Sequence, residues 1–536
     1  MSMTSMRRIV LAAAVSAAAM ASAHGPAEAG SYGRMPTEPA RFTDPNRVAK
    51  LSGAFPEIDR LMSEFAARFH VPGIAYGVLI DGQLAHTGAV GSRDLSSSAP
   101  VDADTVFRIA SMTKSFTALS ILELRDEGKL SLDDPAERYV PELAGLVYPT
   151  ADSPRVTIRH LLSHAEGFPE DNPWGDRQLA ATDEQMGEML RRGIPFSNPP
   201  GLAYEYSNYG FAILGRIVSR VSGMRYRDYV TASILKPLGL SSTTLDPAAV
   251  PPSRIARGYR WEDGTWKEEP PLADGAFGAM GGMLTSIRDL GRYVAFMMSA
   301  WPPRDDADPG PIRRASVREM QQVWRPSPAS VARHPSTSEI QLNTGGYGFG
   351  LRVSQTCAFR HVVAHSGGLP GFGSQMRWLP EYGVGVIALG SLTYTSWGAV
   401  IDSAVDALAK TGGLQARVVQ PSAALVEARD AVLRLLAGWD DQLADRIAAD
   451  NLFLDQSKDR RRRELDEHRR RVGTCRPDGA FDVENALRGQ WTMSCERGAL
   501  RVAITLAPTM PPRVQFLGVR QIASPGERAP SATCAQ

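Results

Sequence analysis

Residues 107–116 read Phe107-Arg108-Ile109-Ala110-Ser111-Met112-Thr113-Lys114-Ser115-Phe116. Beyond them Phe116, Leu119 and Leu122 recur at helical spacing, so a helix is predicted over 112–124, stopped by Gly128. Ser111 and Lys114 then stand at i and i+3, on one face of its first turn. A serine hydroxyl is a poor nucleophile at neutral pH and needs a base or cation beside it. The first helical turn also offers unpaired N–H groups and the positive end of the dipole, which suit the oxyanion of acyl transfer. A second S-x-x-K runs from Ser233 to Lys236, but Pro237 and Gly239 follow it. It ends a helix rather than starting one and reads as structural.

Before this stretch Ile74, Tyr76, Val78 and Ile80 alternate, the period of a half-buried strand. Asp81-Gly82 then predicts a tight turn into a second strand over 84–90. After it a helix is predicted over 211–221 through Leu214, Ile217 and Val218. Strands follow over 361–366, 375–379 and 384–389, then a helix over 399–410 ending at Gly412. Strands, a long helical middle, strands and a helix make an α+β chain. The two strand regions are expected to join in one antiparallel sheet flanked by helices, with the helical middle as a subdomain. Residues 51–412 are read as this domain. Residues 413–536 read as a separate small α+β domain. It has an amphipathic helix over 424–449 (Val432, Leu435, Leu436, Trp439 and Leu443 on its apolar side) and β-rich sequence over 480–525. The arginines of 460–463 and 469–471 are interleaved with Glu464, Asp466 and Glu467, so they read as a solvated helix face.

The chain has 536 residues, 43% hydrophobic and 22% charged, with a formal net charge of +1. This is ordinary globular composition, with no bias toward nucleic acid or a membrane surface. Arg7 and Arg8, apolar residues 9–21 and the small-residue site Ala21-Ser22-Ala23 predict an export signal over 1–23; Ala27-Glu28-Ala29 is a second cleavage candidate. The apolar run is shorter than the ~20 residues a spanning helix needs. A periplasmic or secreted protein is expected, with residues 24–50 as a linker. None of the four cysteines has zinc-ligand spacing. Cys475 and Cys495 are the expected disulfide, closing a local loop where oxidation is permitted.

Two further motifs carry chemistry. Tyr206-Ser207-Asn208 lies in a loop just before a helix. A nearby lysine cation lowers a phenol's pKa, which makes Tyr206 a candidate general base. The Asn208 amide both donates and accepts, so it is a candidate to hold Lys114 and a substrate amide together. His365-Ser366-Gly367-Gly368 lies at a strand end. There Gly367 and Gly368 permit close approach of a substrate backbone, and His365 is a candidate donor to a substrate carboxylate. Taken singly, a half-buried aromatic, a helix cap and a glycine turn explain these residues as well.

Together with residues 107–116, the Tyr206-Ser207-Asn208 and His365-Ser366-Gly367 motifs resemble, in order and spacing, the class C β-lactamase and DD-peptidase superfamily. Supporting pieces are residues 160–167 (His160 to Gly167), Pro237 to Leu240, and Gly281 to Ser286 followed by Asp289 and Leu290. The resemblance covers about residues 55–410. It implies Ser111 as nucleophile, Lys114 as its activator, Tyr206 as proton shuttle and Asn208 as substrate and lysine anchor. It places His365 in the carboxylate-side pocket and makes the oxyanion hole from the N–H groups of Ser111 and Gly368. Two positions depart from the pattern. His365 stands where class C β-lactamases carry lysine, and Ala165-Glu166 stands where the family commonly has threonine and serine.

His160 and His164 stand at i and i+4, but H-E-x-x-H is absent, as are the G-x-S-x-G elbow and a phosphate loop. No metal or other cofactor is expected. The expected activity is that of an exported serine hydrolase acting on a peptide, D-amino-acid amide, ester or lactam bond, with peptidoglycan fragments among the candidate substrates. The rivals are a small-ester carboxylesterase and a non-catalytic penicillin- or peptidoglycan-sensing module.

Overall fold

The computed structural model describes residues 38–333 and 340–523. The expected export signal at 1–23 lies outside the described residues, as does Cys534. The described chain falls into two compact units, 38–420 and 421–523.

The larger unit is built on an antiparallel sheet of ten strands among the described residues. From one edge the order is Ala99–Pro100, Gln83–Asp94, Gly73–Ile80, Val384–Gly390, Phe372–Leu379, Val362–Leu369, Arg352–Gln355, Ile340–Tyr347 and Arg325–Pro326. Ser330–Arg333 pairs with Ile340–Tyr347 off this path. The N-terminal hairpin and the C-terminal strands meet where Ile74 faces Gly390 and Ile80 faces Val384. The chain thus closes one sheet from its two ends, as the order of elements predicts. The Asp81-Gly82 turn has positive φ at both residues, 51° and 77°, the conformation a two-residue hairpin requires.

Gly73–Ile80 differs from the expected half-buried strand, because every residue in it is buried. The alternation is present: Ile74, Tyr76, Val78 and Ile80 share one core with residues of the helices Phe55–Arg68 and Gly398–Lys410. Ala75 and Leu79, on the other face, belong to the larger core beneath the helical middle. A strand sandwiched between layers is buried on both sides, and period two does not reveal the second layer. The helix Arg47–Ser52 begins inside the stretch read as linker. Its Arg47 is buried and donates to Asp81.

The smaller unit holds the helices Ala423–Ala437, Asp441–Ile447 and Lys458–Val472, followed by a four-stranded antiparallel meander from Cys475 to Ile522. The single helix expected over 424–449 is broken at Gly438, and Asp440 caps the second piece through the Leu443 amide. Its core is Leu425, Val432, Leu465, Trp491, Val502 and their neighbours. Cys475 and Cys495 face each other across adjacent strands and form a disulfide. In the basic helix Arg469 and Arg471 pair with Asp466 and Glu467, while Arg461 is buried and donates to the carbonyls of Leu452 and Leu517.

Candidate active site

Ser111 sits in a tight 3₁₀ turn, Ala110–Met112, directly ahead of the helix Thr113–Asp126. Ala110 adopts φ 48°, a left-handed conformation that costs energy and persists only when its surroundings hold it. Several bonds do so. The Ile109 amide donates to Met283 O, and the Met283 amide to Thr113 Oγ1. Ser374 Oγ donates to Ile109 O at 2.8 Å from the central sheet.

Lys114 is fully buried. Its Nζ donates to Asn208 Oδ1 at 2.6 Å and to Met280 O at 2.7 Å, and lies 3.2 Å from Ser111 Oγ. Burial pushes its pKa down to about 7, against the pull of the Asp176 and Asp171 carboxylates. Asn208 opens the helix Asn208–Ser222, with Ser207 as its cap. The Asp171 carboxylate accepts the amides of Asn208 and Tyr209, neutralising the positive end of that helix. Asn172 Oδ1 accepts the Asn208 Nδ2 at 3.1 Å, which turns Asn208 Oδ1 toward the lysine.

Tyr206 departs from expectation. Desolvation raises its pKa above the ordinary phenol value, so it is a neutral hydroxyl and not a phenolate base. The lysine expected to lower it has itself been driven toward neutrality by burial. His164 supports the Tyr206-Ser207-Asn208 motif from below. Its ring packs 4.2 Å from that of Tyr206, and Nδ1 accepts the Ser207 amide at 3.1 Å.

His365 also departs from expectation. Its Nδ1–H donates to Ser366 O at 2.6 Å, so Nε2 is the acceptor for the Tyr347 hydroxyl at 2.8 Å. Burial, then Lys114 and Arg352, hold its pKa down to about 3. It is uncharged and both nitrogens are engaged, so in this arrangement it has no free N–H for a carboxylate. The exposed cation on that side is Arg352, whose Cζ lies 5.7 Å from the Tyr204 ring centroid. A side-chain carbon at Gly367 would meet Ile109 O at 2.1 Å, so only glycine lets this strand lie against the serine turn. Ser111, Tyr206, His365 and Gly368 line one cavity of about 530 Å³. Ser233 is turned to Glu123, and Lys236 is exposed.

A family model described as Beta-lactamase matches residues 58–411. The chain belongs to the beta-lactamase family. This beta-lactamase-family chain is 26% identical over 338 residues to protein flp of Staphylococcus aureus (strain COL), covering 63% of each chain. It is 27% identical over 307 residues to penicillin-binding protein 4* of Bacillus subtilis (strain 168), covering 55% of this chain and 62% of that one. It therefore spans less than two thirds of the length of these curated relatives. The structure of an octameric penicillin-binding protein homologue from Pyrococcus abyssi shares the fold, with a TM-score of 0.58 at 21% identity over 87% of this chain and 90% of that one.

Several residues of this beta-lactamase-family site escape sequence reasoning. Asp171, Asn172, Asp176, Arg352 and Tyr347 carry no spacing signal relative to Ser111. His164 lies inside a motif the sequence exposes, but only packing shows what it supports. Glu166 is fully buried, burial raises its pKa well above the carboxylate range, and neither oxygen has a partner among the described residues. Nothing in the structure explains why a glutamate stands there. Among the described residues no helix is long and apolar enough to cross a membrane. No group of three or more His, Cys, Asp or Glu among them could hold a metal ion.

Proposed function

We propose that this chain is an exported serine hydrolase that forms an acyl-enzyme on Ser111, acting on a peptide, D-amino-acid amide, ester or lactam bond. One observation carries the reading. A neutral amine has two N–H bonds and one lone pair. The two carbonyl oxygens at Lys114, Asn208 Oδ1 and Met280 O, take the two hydrogens, which leaves the lone pair for the Ser111 hydroxyl. In the proposed reaction Ser111 Oγ bonds the acyl carbon while its proton passes to Lys114 Nζ. The N–H groups of Ser111 and Gly368 receive the oxyanion. The Tyr206 hydroxyl, kept protonated, relays that proton to the leaving group, and water then releases the acyl group by the reverse path. Export is supported by the residue pattern of 1–23 and by the Cys475–Cys495 disulfide, a bond typical of oxidising compartments.

The test is covalent labelling. A fluorophosphonate is expected to modify Ser111 and no other serine, and the label should vanish in Ser111→Ala. Label on Ser233 or Ser366 would falsify the assignment.

The charge states also support a reading of the carboxylate side. Arg352, not His365, is proposed to meet a substrate carboxylate. Arg352→Gln should lower kcat/KM for a carboxylate-bearing substrate by roughly tenfold or more, the value of a charge-assisted hydrogen bond, and leave neutral esters far less affected. Equal losses on both substrates would rule this out.

A further inference from the structure

His365 stands in the wall of the cavity that holds Ser111, yet it is buried, uncharged and bonded through both ring nitrogens. Burial, Lys114 and Arg352 all disfavour a cation there, and the rings of Tyr206 and Tyr347 lie 6.4 and 5.8 Å from its own. A neutral imidazole has one N–H and one lone pair. Nδ1 bonds Ser366 O at 2.6 Å, and a carbonyl can only accept, so the hydrogen is on Nδ1. The hydroxyl of Tyr347, a fully buried residue at the end of the strand Ile340–Tyr347, then donates to Nε2 at 2.8 Å. That bond stabilises the one tautomer able to hold the carbonyl.

The carbonyl belongs to the peptide that joins Ser366 to Gly367, one peptide before the Gly368 N–H. The strand is supported unevenly at this point. Phe372–Leu379 pairs with it from Val363 to Leu369, whereas Arg352–Gln355 pairs only with Val362 to Ala364. From His365 onward it has a strand partner on one side alone among the described residues. Gly367 and Gly368 bring no side chains to hold it, and glycine has the greatest backbone freedom of any residue. The imidazole supplies a fixed bond to the backbone where the second strand ends.

We propose that His365 is a positioning residue: its Nδ1–H holds the Ser366 carbonyl and so aims the Gly368 N–H at the oxyanion, and Tyr347 holds the tautomer that makes this bond. The proposal deepens the hydrolase reading and rests on it, with Ser111 as nucleophile and the Gly368 N–H as oxyanion donor. It gives His365 no contact with a substrate carboxylate.

The two amide replacements of histidine test this role. An asparagine amide brings an N–H near the position of Nδ1, a glutamine amide near that of Nε2. With a neutral ester and full-length protein, His365→Gln should lower kcat by about 10²-fold, the scale of a small displacement among reacting groups. KM should change by less than about threefold, because an oxyanion donor acts in the transition state. His365→Asn keeps the donor and should lose less than about tenfold. Tyr347→Phe keeps the ring and should also lower kcat with KM held, by less than His365→Gln. A second readout is the tautomer itself. In protein labelled with nitrogen-15 at its nine histidines, His365 should show a protonated Nδ1 and an unprotonated Nε2 at neutral pH. Its signal is assigned as the one that shifts in Tyr347→Phe, where the tautomer should give way to a mixture, and vanishes in His365→Asn. Equal losses in His365→Asn and His365→Gln, a change in KM in place of kcat, losses confined to carboxylate-bearing esters, or a protonated Nε2 in the unaltered protein each overturn the proposal while fluorophosphonate labelling of Ser111 stands. Failure of the unaltered protein to label at Ser111 instead removes the hydrolase reading.

Discussion

Replacing Lys114 by methionine is expected to lower kcat/KM, and the rate of fluorophosphonate labelling at Ser111, by about 10²–10⁴-fold, the usual value of a positioned acid–base group. Methionine is the informative replacement. Lys114 lies in a stretch, Thr113 to Leu122, where every residue is buried, so alanine would open a cavity as well as remove the amine. An unbranched thioether fills nearly the same volume and leaves only the chemistry missing. The side chain has no other described partner that could take over the serine proton. Tyr206, the nearest alternative, is held protonated by desolvation. Tyr206→Phe should therefore act on leaving-group protonation, with a smaller effect on the labelling rate than Lys114→Met. The pH profile supplies an independent check. The proposed active form is the neutral amine, whose pKa is lowered to about 7. Lowering the pH through 7 protonates it and should reduce kcat/KM, while raising the pH above 7 should bring a plateau. An acid limb that survives unchanged in Lys114→Met, or a variant keeping more than about a tenth of the activity, would contradict the assignment.

Gly367→Ala is expected to cost about 10²-fold in kcat/KM, because the reacting groups tolerate little displacement. The added carbon would lie 2.1 Å from Ile109 O and 2.4 Å from Ser374 Oγ. Neither atom can yield cheaply. Ile109 O is backbone, two residues before the nucleophile, and Ser374 Oγ is bonded to that same oxygen. The strand Val362–Leu369 must then move off the serine turn, carrying His365 and the Gly368 amide with it. Gly368→Ala is the control. Its added carbon meets Tyr394 Cδ1 at 2.7 Å, the ring of a side chain that is 48% exposed and tethered by its hydroxyl to Asp176, which yields more readily than backbone. Its loss should be the smaller of the two. Measured kcat/KM values with one ester substrate decide the matter, and a larger loss in Gly368→Ala than in Gly367→Ala would contradict this geometry.

The features legible in the sequence are those set by neighbours along the chain. The Asp81-Gly82 turn, the alternation of Ile74 to Ile80, the helix after Ser111 and the i, i+3 placement of Lys114 follow from backbone sterics and the periods of helix and strand. The three motifs that line the cavity were legible through a family pattern. Charge state was not. The sequence supports a general base at Tyr206 and a free donor, charged or neutral, at His365, because a titratable group is first read with only its nearest motif partner beside it. Desolvation depends instead on everything packed around the group, and at Ser111 those neighbours come from remote segments: Asn208, Met280, Tyr347, Arg352 and Asp176. Burial makes Lys114 the candidate base, keeps Tyr206 protonated and leaves His365 neutral. The same distance along the chain hides the second layer over Gly73–Ile80 and the Asp171–Asn172 clamp on Asn208. The sequence by itself determined the three motifs that were expected to meet; tertiary packing decided which further residues join them and which groups carry charge, because the free energy of an ion is set by its surroundings in space and not by its place in the chain.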